Sequence, residues 1–199
     1  GEINGVDILA GYNTDEGTLF VPRSTSEEAY IRLLGRVFGD KALTVLERYP
    51  VSPRRTAVTR ARRLAEMGLS MGGDIFADEL SRRGHKVWYY NFNYSMPVLD
   101  QVGLGAMHAL ELIYVFDTVP KVLLRDEATA AFKEDVHRRW LNFIKNGNPN
   151  NGKHLGPEWP RYTAEGKETL VLDLESRPGP SLHAKDVAFY RKLLWENTV

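Results

Sequence analysis

The chain has 199 residues, 43% hydrophobic and 26% charged, which suits one domain or a large piece of one and suffices to bury a sizeable core. Its 26 Lys and Arg balance 26 Asp and Glu, so no field of one sign exists to steer a polyanion, and nucleic acid is not an expected partner. Cysteine is absent, which excludes structural disulfides, thiolate catalysis and cysteine-based zinc sites.

In chain order, the sequence opens on Gly1-Glu2-Ile3 without an initiator Met, and the expectation is a piece or processed product of a longer protein. Val6 to Tyr12 is a short apolar run that reads as a buried strand, and Asn13-Thr14-Asp15-Glu16-Gly17 is the turn that ends it. Ser24 with Glu27 and Thr25 with Glu28 match capping boxes, predicting a helix from about residue 26 to Gly39. Asp40 is expected to cap a second helix through Tyr49. Ser52-Pro53 is expected to start a third, ending at Met67 and Gly68, with Arg54, Arg55, Arg60, Arg62 and Arg63 as a basic, solvated face. Asp74 is expected to cap a fourth helix ending at Gly84. Lys86 to Tyr94, rich in β-branched and aromatic residues, reads as a strand. Asp126 caps a long amphipathic helix through Asn146, stopped by Gly147, and 148–152 is a loop. Thr169 to Leu174 alternates as a strand does, and Ala184 to Trp195 closes the chain as a helix. Strands separated by helical stretches predict an α/β fold with a mostly parallel sheet flanked by helices. No apolar run approaches the ~20 residues of a membrane span, no signal peptide is visible, and both a cytoplasmic and a secreted location stay open.

Two segments carry candidate chemistry. Gly11 to Phe20 places a carboxylate pair, Asp15 and Glu16, after a strand, and Gly103 to Phe116 places His108 in a glycine-flanked loop after a later strand. Reactive groups of open α/β sheets lie at the carboxyl ends of strands. Taken alone, an Asp-Glu-Gly turn is usually just a turn, and a lone histidine is usually structural or exposed.

The segments Asn13-x-Asp15-Glu16-Gly17 and Ala106-Met107-His108-Ala109-Leu110-Glu111, with Tyr114-Val115-Phe116, resemble the acid turn and histidine loop of type-B carboxylesterases, the cholinesterase-like branch of the α/β-hydrolases. Trp140-x-x-Phe143, Asn146-Gly147-Asn148-Pro149-Asn150 and Trp159-Pro160-x-Tyr162 are similar to that family's later segments, in the same order. The resemblance implies that residues 1–199 are the C-terminal part of such a domain, incomplete without its upstream half. It implies serine-esterase chemistry on a small-molecule ester. His108 matches the family's base, Glu16 the acid that orients it, and the nucleophilic serine and oxyanion glycines lie upstream. A histidine pKa of ~6.5 suits proton transfer near neutrality. Asp15 is expected as a turn acceptor, Glu111 as a brace of the loop, and Leu19 and Phe20 as pocket or core residues. Neither cofactor nor metal is implied. The open sheet is expected to associate with a second copy or with the upstream half.

Gly68-Leu69-Ser70-Met71-Gly72 fits Gly-x-Ser-x-Gly, yet a nucleophile elbow needs a strand before it, and Thr59 to Glu66 are helix formers. The order acid, Ser70, histidine is also not the serine, acid, histidine of this fold. Two alternatives stand beside the esterase: an inactive binding or adhesion protein of the same family, and a small hydrolase using Ser70. His85, His137, His154 and His183 are expected to be surface or structural residues.

Overall fold

A computed structural model describes residues 4–196; Gly1-Glu2-Ile3, read above as the start of a piece of a longer protein, lies outside the described residues. Four strands form one sheet: β1 (Ile8–Asn13), β2 (Val87–Phe92), β3 (Glu168–Leu172) and β4 (Arg177–Pro180), in that spatial order. The first three run parallel, with Ile8 opposite Val87 and Tyr90 opposite Leu170, and β4 returns antiparallel to β3. Among the described residues seven α-helices accompany the sheet: α1 (Glu27–Phe38), α2 (Ala42–Arg48), α3 (Ala57–Arg82), α4 (Pro97–Gln101), α5 (Leu112–Val115), α6 (Glu127–Asn146) and α7 (Ala184–Arg191). The α/β class read from the sequence is thus the observed one.

β2 is buried at every residue, and its alternation divides the core. Trp88, Tyr90 and Phe92 meet α6 through edge-on or tilted contacts with Phe143, Trp140 and Phe132. Val87 and Tyr89 face the other way and cluster with Tyr12, Tyr162 and, from α3, Ala77 and Leu80. Helices thus cover both faces, as parallel strands require. A third cluster, from Tyr30, Leu34, Val45 and Ala61 to Tyr190, joins α1, α2, α3 and α7.

Several boundaries differ from the sequence expectation. The third and fourth predicted helices are one, α3, running unbroken through Gly68, Gly72 and Gly73. A glycine inside a helix costs about 1 kcal/mol, but the two halves of α3 are each anchored in a core cluster, Ala57, Ala61 and Met67 in one and Ala77 and Leu80 in another. Gly73 also has a packing reason, since a Cβ there would stand 2.8 Å from the Tyr89 hydroxyl. Asp74 consequently caps nothing and is buried in mid-helix. The helix does not start at Ser52-Pro53, because Ser52 and Arg55 exchange reciprocal backbone hydrogen bonds of 3.0 Å. Thr56 is the cap instead, its hydroxyl accepting from the Thr59 amide. Asp40 does not cap α2, because residues Gly39–Lys41 wind as a 3-10 turn straight into it. At α1 the capping side chain is Ser26, not Ser24 or Thr25. Asp126 caps α6 as expected, in a reciprocal box with Thr129. β4 went unread because Arg-Pro-Gly-Pro has no strand pattern; its prolines are tolerated at a sheet edge. The last helix is α7 only to Arg191 and continues as a π-turn, Lys192–Glu196.

Candidate functional site

β1 and β2 are parallel neighbours, so the segments that follow them emerge at the same end of the sheet. The acid turn follows β1 directly. Its Thr14 amide donates to the Phe92 carbonyl at 3.0 Å, prolonging the ladder by one bond. The histidine loop follows β2 and α4, and Asp15 forms a parallel bridge with Met107. The two segments are then fastened on both sides of that bridge. The Asp15 amide donates to the Ala106 carbonyl at 3.0 Å, while the Ala106 amide donates to the Asp15 carboxylate at 2.9 Å. The Thr18 hydroxyl is within 2.8 Å of the Leu104 carbonyl. Gly105 makes this approach feasible: its φ is +61°, and a Cβ would lie 2.1 Å from an Asp15 carboxylate oxygen.

At the centre, one Glu16 oxygen, Oε2, lies 2.5 Å from His108 Nδ1. The other, Oε1, accepts the Asn13 amide at 2.8 Å, so both carboxylate oxygens have fixed partners. Glu16 is buried at 6% exposure, whereas the His108 side chain is 45% exposed. With Nδ1–H directed at a carboxylate, Nε2 carries the lone pair, and it has no hydrogen-bond partner among the described residues. The next residue, Ala109, holds φ at +64°, a conformation rare for a residue with a Cβ and one that clusters at functional sites.

Asn13 was read from the sequence only as a turn former, and the structure gives it more. Fully buried, it donates from Nδ2 to the Met107 carbonyl at 2.7 Å and to Glu111 Oε2 at 2.5 Å, bracketing the histidine. Glu111 thus touches the acid turn through its side chain. Burial, with a smaller push from Glu16, raises the Glu111 carboxyl above the usual range, while the Asn13 bond pulls it down. Asp15 is raised mainly by burial and pulled back by the Ala106 amide. Its acceptor role crosses to the histidine loop; its side chain does not serve its own turn.

Leu19 and Phe20 are both half exposed and so are not core residues. The Phe20 ring stands edge-on to His108 at 5.5 Å between centroids. Phe20 also lines an apolar cavity of about 370 Å³ with Val37 and Phe38 of α1 and Leu64, Met67 and Met71 of α3; Leu19 is not part of its wall. Ser70 is far from any elbow geometry. It lies in the interior of α3 at 3% exposure, its hydroxyl donating to the Glu66 carbonyl at 2.8 Å. His137 and His154 hold backbone carbonyls, at 2.8 Å and 3.0 Å. His183 departs from its polar surroundings in the sequence, being fully buried with neither ring nitrogen partnered among the described residues.

Comparison with known proteins is consistent across sequence and fold. The family model described as "Carboxylesterase family" matches residues 1–190. Para-nitrobenzyl esterase of Bacillus subtilis (strain 168) is 29% identical over 189 residues, covering 88% of this chain and 36% of that protein. Carboxylesterase 1C of Mus musculus is 27% identical over 220 residues, covering 98% of this chain and 38% of that protein. The crystal structure of Aspergillus niger EstA superposes with a TM-score of 0.77 at 23% identity, covering 95% of this chain and 40% of that one. The chain thus spans well under half the length of these relatives.

Proposed function

From the premise that this chain belongs to the carboxylesterase family, we propose that it supplies the base and the orienting acid of a serine-type ester hydrolase, His108 and Glu16, while the nucleophilic serine comes from an upstream half of the same protein. The observation that carries this reading is the 2.5 Å contact between Glu16 and His108, made across 92 residues of sequence. Glu16 fixes the tautomer that leaves Nε2 basic, and it stabilises the imidazolium once His108 has taken the serine proton. The proton then passes to the leaving alcohol, and the second half-reaction repeats the transfer with water as the nucleophile. The half-exposed Phe20, edge-on to the histidine and continuous with the apolar cavity behind it, supports a binding role for that side of the site. Leu19 has only its exposure and its place beside Phe20 in its favour. The hydrolase that would use Ser70 has no support, since its hydroxyl is buried and bonded within a helix.

The test is turnover of a p-nitrophenyl ester by the intact protein. Glu16→Gln and His108→Ala should each lower kcat by roughly 10³–10⁴ with the melting temperature little changed, and Ser70→Ala should not. Unchanged kcat in Glu16→Gln would overturn the assignment of the acid. An intact protein with no turnover at all would point instead to an inactive binding member of the family.

A further inference from the structure

The basic face of α3 is not simply solvated. Arg60, Arg62 and Arg63 of α3, with Arg55 in the turn before it and Arg48 of α2, line a cavity of about 480 Å³ whose remaining wall includes Asp15 and Thr18 of the acid turn. Its carboxylates are already engaged. Asp186 accepts the Tyr49 hydroxyl at 2.6 Å and both Nε and Nη2 of Arg63. Glu66 is paired with Arg63 at 3.2 Å, and Asp15 with the Ala106 amide. Arg48, Arg55, Arg60 and Arg62 make no ion pair among the described residues. Five guanidinium groups thus share one concavity with three carboxylates, Asp15, Glu66 and Asp186, which leaves it net positive.

The arginines are also positioned in advance. Arg60 donates from Nε to the Pro50 carbonyl at 3.0 Å, and its guanidinium lies 5.6 Å from the Tyr49 ring. Arg48 lies 5.5 Å from the same ring. Arg62 is held by its backbone, against which Gly17 packs so closely that a Cβ would meet the Arg62 carbonyl at 2.2 Å. Its Nε is buried with no hydrogen-bond partner among the described residues. Arg60 is pushed below the usual arginine range by burial and then by Arg55, while Tyr30, Tyr49 and Asp186 pull it back up.

We infer that this cavity beside the acid turn is a binding site for a small oxyanion, a phosphate or carboxylate group held by the forks of Arg55, Arg60 and Arg62. Its size fits a small organic anion as readily as an inorganic one.

Isothermal titration calorimetry of this chain with inorganic phosphate, and separately with succinate, tests the inference against sodium chloride at matched ionic strength. The expected result is saturable binding of at least one of the two anions, weakened tenfold or more by Arg62→Gln and by Arg55→Gln. The two titrants distinguish a phosphate from a carboxylate ligand. Arg55 is exposed, so its variant tests the site without disturbing the core; Arg55→Lys should recover only part of the affinity, because an ammonium cannot form the two-point contact. The binding anion should also raise the melting temperature in proportion to its occupancy. No saturable binding of either anion beyond the chloride control would overturn the inference. So would binding that both glutamine variants leave unchanged.

Discussion

At the scale of single residues, Glu16 and His108 were singled out only through the resemblance of their flanking segments to type-B carboxylesterases, since taken alone they read as a turn carboxylate and a lone histidine. Asn13 was not, because its importance arises only when two loops distant in sequence meet. Asn13→Ala would leave the part-buried Met107 carbonyl and Glu111 carboxylate without their donor. The expected cost is about 2–6 kcal/mol in urea unfolding, at about 1–3 kcal/mol for each of the two groups, together with a fall in kcat of the intact protein. A stability loss without any change in kcat would show that Glu16 and His108 keep their alignment unaided. His183 makes a second prediction. Burial pushes its ring down to about 3, from an ordinary value near 6.5. Between those values the unfolded chain takes up a proton that the folded chain refuses, so stability falls as pH drops from about 6.5 towards 3. Asp74, raised to about 7 chiefly by burial, works in the opposite sense between 3.8 and 7. His183→Phe should therefore flatten the acid side of the melting-temperature profile, gaining on the order of 3 kcal/mol near pH 4 relative to pH 7; a profile parallel to wild type would refute the buried, neutral histidine.

At the scale of elements, β1, β2, β3 and the long amphipathic α6 were readable from composition, period and caps, whereas β4 was not. The continuity of α3 was not either, because local glycine signals were outweighed by burial of both its ends in the core and by the close approach of Tyr89 to Gly73. Equally hidden was the ion pair inside α6. Arg139 is fully buried, bonded to Asp135 at 2.8 Å and to the Pro157 carbonyl at 2.7 Å. Asp135 in turn accepts the Leu155 amide at 2.6 Å and the Gly156 amide at 3.2 Å, fixing the loop that leads to Trp159. Because only burial distinguishes this i, i+4 pair from the exposed pair of Arg138 with Glu134, the sequence shows both alike. Asp135→Ala would strand a buried guanidinium and should cost about 3–5 kcal/mol, whereas Asp135→Leu combined with Arg139→Met should lose far less. Urea denaturation of the single and double variants measures the difference; equal losses would mean the charge is solvated after all.

At the scale of the molecule, the sheet is closed on one side by β4 and open on the other. Among the described residues no strand pairs with the free edge of β1. This is where strands of an upstream half would add, or where a second copy would pair. Light scattering on the 199-residue chain is expected to give a dimer or larger species, with no hydrolysis of p-nitrophenyl esters above background. A monomer at all concentrations would contradict pairing at the open edge, and saturable hydrolysis by this chain alone would contradict the proposed division of labour. The parallel register also governs how the site comes into being. The Ile8–Val87 pairing, the Asn13–Met107 bond and the Glu16–His108 contact all close long loops of similar length, so once β1 has paired with β2 the site contacts form at little further entropic cost. Helices α1, α2 and α3 need only local contacts. Substitutions around Glu16 and His108 are therefore expected to speed unfolding more than they slow folding, which stopped-flow refolding and unfolding of the variants would measure.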